Sequence, residues 1–212
     1  MRIITISRQF GSGGREIGKR MADILNFAYY DREIITAIAQ KSQLDENYVA
    51  NILETGILPS FPIVFGQTLS YSMAMQRNMT DLLIAQHQVI KELASFQDCI
   101  IVGRNADVIL EEEHPFNLFV YADMDARVRR CMDREMEQKT AEKPLTAHEM
   151  QKRIKQVDAG RSKQHDLLSS VKWGAKEGYH LCVNTTGVLP KTLAPLLASY
   201  AESWFAGRQT EE

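Results

Sequence analysis

The sequence is poor in cysteine, has little net charge and lacks long apolar runs. Its three cysteines, Cys99, Cys131 and Cys182, are far apart, and no two have C-x-x-C spacing. This pattern argues against a disulfide framework or a cysteine-based zinc site. The formal net charge of -2 provides no basic surplus for binding nucleic acid. No apolar run approaches the length of a membrane span.

The first residues also lack the features of a secretion signal. The chain begins MRIITIS, directly before a glycine-rich stretch, which leaves no room for the charged and apolar regions of a signal peptide. We therefore expect a soluble cytoplasmic protein without nucleic-acid or membrane partners, while its oligomeric state stays open. The five histidines show no metal-ligand spacing and none adjoins a candidate nucleophile, so we assign them no chemistry.

The distribution of apolar residues predicts an α/β fold. A chain of 212 residues that is 44% hydrophobic is long enough for one full-sized domain, residues 1–212. Short runs rich in Ile, Val and Phe alternate with segments of helical period, which is typical of a parallel sheet covered by helices on both faces. We predict five strands, at residues 2–7, 27–30, 98–103, 117–122 and 180–184.

Two segments extend this core. About 65 residues without strand signal separate the second and third predicted strands, too many for a simple crossover. We expect a helical insertion over 33–95, with two short helices, a proline-containing loop and a long helix from about residue 68. Further on, a helix over 125–137, a polar turn and a T-x-x-E capping box at Thr146 predict a hinged lid over 135–165.

The stretch ISRQFGSGGREIG, residues 6–18, predicts a phosphate-binding loop. Backbone amides of such a loop turn around phosphate, while a lysine adds charge and Ser or Thr holds magnesium. Here Gly13 takes the last glycine of the G-x-x-x-x-G-K-[ST] pattern, Gly14 takes the lysine position and Arg15 the Ser/Thr position. A buried strand before the loop and a helix after it favour anion binding over the alternative, a tight turn.

Arginines are the candidates to replace the absent lysine. Arg8 and Arg15 flank the loop, and arginine can grip phosphate with a bidentate fork. Arginine cannot ligate magnesium, so the metal would be held largely by phosphates and water. Lys19 is an alternative one turn further on, and Ser7 or Ser12 could supply a hydroxyl.

Several segments, in the order of the chain, resemble the cytidylate kinase-like family, a divergent branch of the P-loop nucleoside monophosphate kinases. The resemblance implies a five-stranded parallel sheet ordered 2-3-1-4-5, a monophosphate-binding insertion and a mobile lid. It also implies transfer of the γ-phosphoryl group of ATP, with Mg²⁺, to CMP or a related nucleoside monophosphate. The matching segments are ITISRQFGSGGREIGKRMADIL, YYDREII, IIVGRNADVIL, ARVRRCMDRE and HLCVNTT.

The residues expected to contact ATP lie in the loop and on the helix over 125–137. Arg127, Arg130 and Arg134 are spaced i, i+3, i+7 and share one face, which could close over phosphates; pairing with neighbouring acidic residues is the alternative. We assign ATP binding to Arg8, Gly11, Ser12, Gly13, Gly14, Arg15, Glu16, Arg130 and Arg134.

Acceptor binding is expected at the ends of the strands, where ligands bind in open α/β sheets. Arg104 follows the third predicted strand where the family reads G-R-D, so the resemblance places it on the acceptor phosphate; a surface ion pair is the alternative. Asn105 stands in place of that Asp, and Asp107 is close enough to substitute. The resemblance also places Asp31 near the acceptor nucleoside, and a helix N-cap is the alternative.

Three further residues complete the candidate site. Asp158 and Arg161 keep a D-x-x-R spacing that resembles the lid motif of the family, and Arg77 is a possible acceptor-phosphate ligand by position. The catalytic set is therefore Arg15, Arg104 and Arg161, because phosphoryl transfer needs aligned substrates and neutralised charge. A nucleotide-binding sensor without catalysis and a kinase of another small molecule are the competing functions.

Overall fold

The computed structural model describes residues 1–55, 68–138 and 144–208, and within these ranges it describes all side chains except those of 54–55, 68–79 and 138. All five predicted strands are present, and their ends differ from the prediction by at most one residue. The strands are β1 (Ile3–Arg8), β2 (Ala28–Tyr30), β3 (Cys99–Val102), β4 (Phe116–Tyr121) and β5 (Leu181–Asn184). The helices are α1 (Gly14–Leu25), α2 (Glu33–Ser42), α3 (Glu46–Thr55), α4 (Thr68–Phe96), α5 (Ala106–Ile109), α6 (Met124–Gln138), α7 (Ala147–Leu168) and α8 (Pro190–Arg208).

The five strands form one parallel sheet in the order β2-β3-β1-β4-β5, as predicted. The central strand β1 is buried along its whole length. Alternate side chains enter two different cores, since successive residues of a strand point to opposite faces. Ile3 packs with α2, α3, α4 and α5, whereas Ile4 and Ile6 pack with α1 and α8. This arrangement gives the three layers of an α/β/α fold.

Helix α1 lies tightly against the sheet. Ile17 and Met21 form its fully buried stripe. A Cβ added at Gly18 would come within 3.0 Å of the Ile6 side chain and 3.1 Å of Val102, so glycine here permits close helix-to-sheet packing. This packing fixes the N-terminus of α1 beside the carboxyl end of β1, where the phosphate loop was predicted.

The predicted helices of the insertion are confirmed as α2, α3 and α4, while the proline-containing loop lies outside the described residues. The capping box is also confirmed: Thr146 Oγ1 accepts a hydrogen bond from the amide of Glu149, whose carboxylate accepts from the amide of Thr146. Pro195 lies inside α8, in its second turn. In the described part of the chain, no helix has the length and apolar character needed to cross a membrane.

Candidate functional site

The glycine loop joins β1 to α1 at the carboxyl edge of the sheet. Gly11 and Gly13 have left-handed φ angles of 77° and 85°, which residues with a Cβ rarely adopt. Gly13 is the N-cap residue of α1, and no side chain caps this helix. The first amides of a helix have no partner within it, and the helix dipole favours an anion there. The local geometry is therefore that of an anion-binding helix N-terminus.

Arg8 occupies the space beside the position of the absent lysine. A Cβ added at Gly14 would lie 2.7 Å from Cβ of Arg8, and one added at Gly103 would lie 1.6 Å from its Nη1. The Arg8 side chain therefore passes over two glycines, and it is only 9% exposed. In the G-x-x-x-x-G-K pattern that ends at Gly14, Arg8 holds the place of the first glycine. Compared with that pattern, a long basic side chain stands at position 8 in place of glycine, and glycine stands at position 14 in place of lysine.

Asp31 binds both arginines that flank the loop. Its carboxylate pairs with Nε of Arg15, accepts from Arg15 Nη2 at 3.3 Å and lies 3.9 Å from Nη2 of Arg8. Asp31 is buried, and the N-cap residue of α2 is Arg32, so the alternative of a helix cap is wrong. Burial and the nearby charge of Asp31 raise the pKa of Tyr29, whose hydroxyl donates to the carbonyl of Arg15. Asp31 thus organises the positive charge beside the loop.

The turn after β3 has an unusual backbone. Gly103, Arg104 and Asn105 follow one another with left-handed φ angles of 73°, 60° and 55°. This conformation is uncommon for residues other than glycine and costs on the order of 1 kcal/mol or more for each. Buried Gln86 secures the turn by donating to the carbonyl of Arg104 at 2.8 Å. Such strain, held in place by a buried partner, is typical of functional sites.

Arg104 is a buried residue and not the surface ion pair considered as an alternative. Its guanidinium donates to the carbonyl of Leu53, near the end of α3, at 3.0 Å. Gln164 of α7 donates to the neighbouring carbonyl of Ile52. The end of α3 is therefore held between the strand end and α7.

Helices α6 and α7 hold the outer side of the glycine loop. Arg130 donates to the carbonyls of Gly11 and Thr185 at 2.6 and 3.3 Å, whereas Arg134 is exposed on α6. Arg127 pairs with Asp158 and donates to the carbonyl of Phe10 at 3.4 Å. Burial lowers the pKa of Arg130 below its ordinary value. The face predicted from the i, i+3 spacing thus contacts the loop through two of its three arginines.

The D-x-x-R pair of α7 contacts the backbone of the same loop. Asp158 accepts from the amide of Phe10 at 2.7 Å, and Arg161 donates to the carbonyl of Arg8 at 2.9 Å. The guanidinium of Arg161 also lies over the ring of Phe10, 5.7 Å from its centroid. These contacts place a third arginine beside the strand ends.

A cleft opens between the carboxyl ends of β1 and β3 and helix α7. Three arginines line it, together with polar and aromatic side chains, and no Asp or Glu is found among its lining residues within the described ranges. The side chain of Arg77 lies outside the described part of the chain. The principal lining residues are Ser7, Arg8, Arg104, Asn105, Arg161 and Trp173.

One buried group near the cleft was not predicted from the sequence. His165 of α7 is 4% exposed, and its Nε2 lies 3.2 Å from Oδ2 of Asp107. Ser7 donates to the same carboxylate oxygen. The i, i+4 spacing of Arg161 and His165 places both on one face of α7, and this spacing was the available signal.

The residues present fit a nucleotide better than a protein-bound metal. No group of three or more His, Cys, Asp or Glu side chains in the described ranges is placed to hold a metal ion. The open loop amides and the arginines are instead groups that bind phosphate. Ser12 Oγ is fully buried and has no hydrogen-bond partner within the described chain, so the loop holds one unused hydroxyl donor.

The sheet order, the glycine loop after β1 and the site at the strand ends define a P-loop kinase fold. A sequence model of the cytidylate kinase-like family matches residues 3–187. The chain therefore belongs to the cytidylate kinase-like family, and this membership supports kinase-like phosphoryl transfer. No curated protein sequence matches significantly.

Solved structures agree on the fold. An uncharacterized protein from Eubacterium ventriosum is 23% identical, with a TM-score of 0.69, and the match covers 96% of this chain and 99% of that one. Shikimate kinase from Acinetobacter baumannii in complex with shikimate is 14% identical, with a TM-score of 0.51 and coverage of 96% and 94%. Shikimate kinase from Bacteroides thetaiotaomicron is 13% identical, with a TM-score of 0.53 and coverage of 95% and 98%.

Proposed function

We propose that this protein transfers the γ-phosphoryl group of ATP to a nucleoside monophosphate, with CMP or dCMP as the preferred acceptor. The observation that carries the proposal is that Arg8, Arg104 and Arg161 line one cleft beside an open, glycine-rich helix N-terminus. Aligning two phosphorylated substrates and neutralising their charge is the main task of a phosphoryl-transfer enzyme. The family membership supports the same reaction class.

In this proposal the loop and Arg8 hold the phosphates of ATP. The amides from Gly13 to Glu16 supply the cradle, and Ser12 Oγ supplies the unused hydroxyl. Arg8 provides the charge that a lysine at position 14 would otherwise supply. Arg15 and Asp31 set the position of Arg8 through their shared ion pair.

The acceptor is placed in the cleft on the other side of Arg8. Arg104 and Arg161 bind its phosphate, and Asn105 and Asp158 are the candidates to recognise its nucleoside. We extend the site to the insertion over 33–95, which includes Arg77, and to a lid over 135–165. Family membership implies Mg²⁺ together with ATP, and the phosphates are its expected ligands because no protein cluster in the described ranges suits it.

The engaged carboxylates near the cleft favour a phosphate acceptor over an alcohol. An alcohol needs a base within hydrogen-bond reach, whereas a phosphate monoester is already ionised. Asp31 pairs with arginines, Asp158 pairs with Arg127, and Asp107 binds Ser7 and His165. The cleft therefore offers positive charge without an available base among its described lining residues.

An acceptor panel tests this function. Purified protein with Mg·ATP is assayed for ADP formation with CMP, dCMP, UMP, AMP and the alcohol acceptor shikimate. We expect ADP to form with CMP or dCMP and not with shikimate. ADP formation with shikimate alone would assign an alcohol acceptor, and absence of ADP with every monophosphate would refute the proposal.

A nucleotide-binding sensor is the second candidate, and one observation favours it specifically. Gly14 and Arg15 replace the lysine and the Ser/Thr that contact phosphate and metal in P-loop enzymes. Calorimetry that shows tight ATP binding in a protein with no turnover would support this function over the enzyme.

A further inference from the structure

His165 and Asp107 form a buried contact between α7 and the strand ends. Nε2 of His165 lies 3.2 Å from Oδ2 of Asp107, and both side chains are 5% exposed. Ser7 Oγ donates to the same oxygen of Asp107, also at 3.2 Å. The contact therefore joins helix α7 to α5 and to β1 inside the protein.

The surroundings of His165 are acidic. On its own helix, Asp166 Oδ1 lies 3.6 Å from Nδ1 of His165, and Asp107 faces Nε2 from α5. Lys172, in the segment after α7, pairs with Asp166 at 3.3 Å, and its side chain is exposed. Tyr179 is buried close to Asp107. Burial and the negative charge of Asp107 raise the pKa of the Tyr179 hydroxyl, so this hydroxyl is neutral near pH 7.

These surroundings favour the charged imidazolium. Burial alone would lower the pKa of His165, but its hydrogen bond with Asp107 and the charges of Asp107 and Asp166 outweigh burial and raise the pKa above its ordinary value. Because the pKa of His165 is higher in the folded state, protonation of His165 stabilises the fold. This stabilisation is fully present below the ordinary pKa of about 6.5. This stability is lost as the pH rises through the higher pKa of the folded state.

Each partner of this contact is close in sequence to an arginine of the cleft. Asp107 follows Arg104 by three residues, Ser7 precedes Arg8, and His165 follows Arg161 by one helical turn. The contact therefore joins the three chain segments that carry the arginines of the cleft.

We propose that His165 is a positioning residue whose protonated side chain binds Asp107 and holds α7, with Arg161, against the strand-end arginines. Deprotonation weakens this contact and loosens α7 over the cleft. The consequence for activity rests on the proposed kinase function, whereas the movement of α7 does not.

The test follows the pH titration of His165 and of the cleft in the same protein. The histidine rings are titrated by NMR, and His165→Gln assigns the resonance. Trp173 lines the cleft, and its amide binds Asp166, so its fluorescence reports the position of α7. The fluorescence is recorded in a Trp204→Phe background, because the chain has only two tryptophans.

We expect His165 to titrate above pH 6.5 and Trp173 emission to change with the same midpoint. His165→Gln, which keeps a neutral donor, should abolish this transition, and Asp107→Asn should lower its midpoint. His148→Gln, at an exposed position of the same helix, is the matched control and should leave the transition intact. A midpoint for His165 below pH 6.5, or a Trp173 transition that persists in His165→Gln, would overturn the proposal.

A kinetic measurement connects the contact to catalysis. The KM for the acceptor should rise about fivefold as His165 loses its proton, because a charge-assisted hydrogen bond becomes a neutral one. In His165→Gln the KM should be high at every pH and should no longer depend on pH in this range. A KM with unchanged pH dependence in His165→Gln would contradict the positioning role. If the protein has no turnover, the kinase function fails while the NMR and fluorescence results still decide the position of α7.

Discussion

Arg8 and Gly14 are packed against each other at the position where a phosphate loop usually has a lysine. The Arg8 side chain passes directly beside Gly14, so any side chain at position 14 would meet Cβ of Arg8 and, at 3.3 Å, Cβ of Val120. Both neighbours belong to buried parts of β1 and β4 and cannot move away without disturbing the sheet. Position 14 must therefore be glycine as long as position 8 carries an arginine.

Restoring the lysine alone should therefore harm the protein. We expect Gly14→Lys to lower the free energy of unfolding by about 1–3 kcal/mol through overpacking. The double variant Arg8→Gly/Gly14→Lys rebuilds the G-x-x-x-x-G-K pattern. Its loss in the free energy of unfolding should be smaller than the sum of the losses in the two single variants. Urea denaturation measures both quantities.

Gly207→Ala is the control, since a Cβ there meets no atom within 4 Å. Its free energy of unfolding should equal or slightly exceed that of the parent. Strict additivity of the two loop substitutions would contradict the proposed exchange of positions.

Removing Asp31 should leave two arginines without their shared partner. We expect Asp31→Ala to lower the free energy of unfolding by about 3 kcal/mol, because it leaves buried Arg8 without this carboxylate. Asp31→Asn should cost less, since it keeps one of the two acceptor oxygens for Arg15. Equal stability of both variants and the parent in thermal denaturation would show that the ion pair contributes little.

Sequence reasoning found the loop arginines but not their arrangement. The exchange between Arg8 and Gly14 was readable in principle from the Walker pattern, since an arginine stands at the first glycine position. Its cause was not, because Gly103 and Asp31 approach Arg8 only through the tertiary fold. Arg15, predicted to bind ATP, pairs with Asp31, and its role toward phosphate stays a prediction. The contact of His165 with Asp107 was not predicted, because the two residues are 58 positions apart in the sequence.

Among the elements, α6 and α7 both contact the glycine loop from outside, and α7 also reaches the strand ends. Asp158, Arg161 and His165 lie along successive turns of α7 and face the loop and the strand ends. Their positions depend on where the helix begins, and the capping box at Thr146 sets that point.

Thr146→Ala should therefore weaken the start of α7. We expect a loss of about 1 kcal/mol in the free energy of unfolding, the usual cost of removing a Thr N-cap. Hydrogen bonds from Thr146 lower the pKa of Glu149, so the contribution of the box is present at neutral pH and is lost as the pH falls below about 4.5. Ser170→Ala, at an exposed position after the helix, is the control. An equal effect of both substitutions would argue against the cap.

Apolar runs predicted the central strands well because β1, β3 and most of β4 are buried. Continuous apolar runs such as Cys99–Val102 admit few alternatives, and the capping box fixed one helix start within a residue. The strained turn of Gly103, Arg104 and Asn105 was not predicted, since Arg carries no signal for left-handed backbone and the enrichment of Asn there does not by itself indicate three such residues in succession. Side chains distant in sequence hold that turn.

At the scale of the whole molecule, Arg104 and Gln164 link the insertion to the core. Both donate to carbonyls at the end of α3, one from the strand end and one from α7. An acceptor phosphate that binds Arg104 would compete with the carbonyl of Leu53. Binding in the cleft should therefore change the packing of α3 and α7 together.

Hydrogen exchange tests this coupling. We expect saturating CMP to change the exchange of amides in α3 and α7 and to leave those in α8 unchanged. Cytidine, which lacks the phosphate, is the control and should have little effect. A change confined to α8, or the same change with cytidine, would contradict acceptor binding through Arg104.

Calorimetry of Mg·ATP binding tests whether Arg8 replaces the lysine of the phosphate loop. Arg8→Met keeps the apolar stem without the charge, and Arg129→Met, at an exposed position of α6, is the matched control. Circular dichroism verifies that both variants are folded. We expect ATP to bind the parent and Arg129→Met equally and to bind folded Arg8→Met about tenfold or more weakly. Unchanged affinity in Arg8→Met, or absence of ATP binding to the parent, would contradict this role of Arg8.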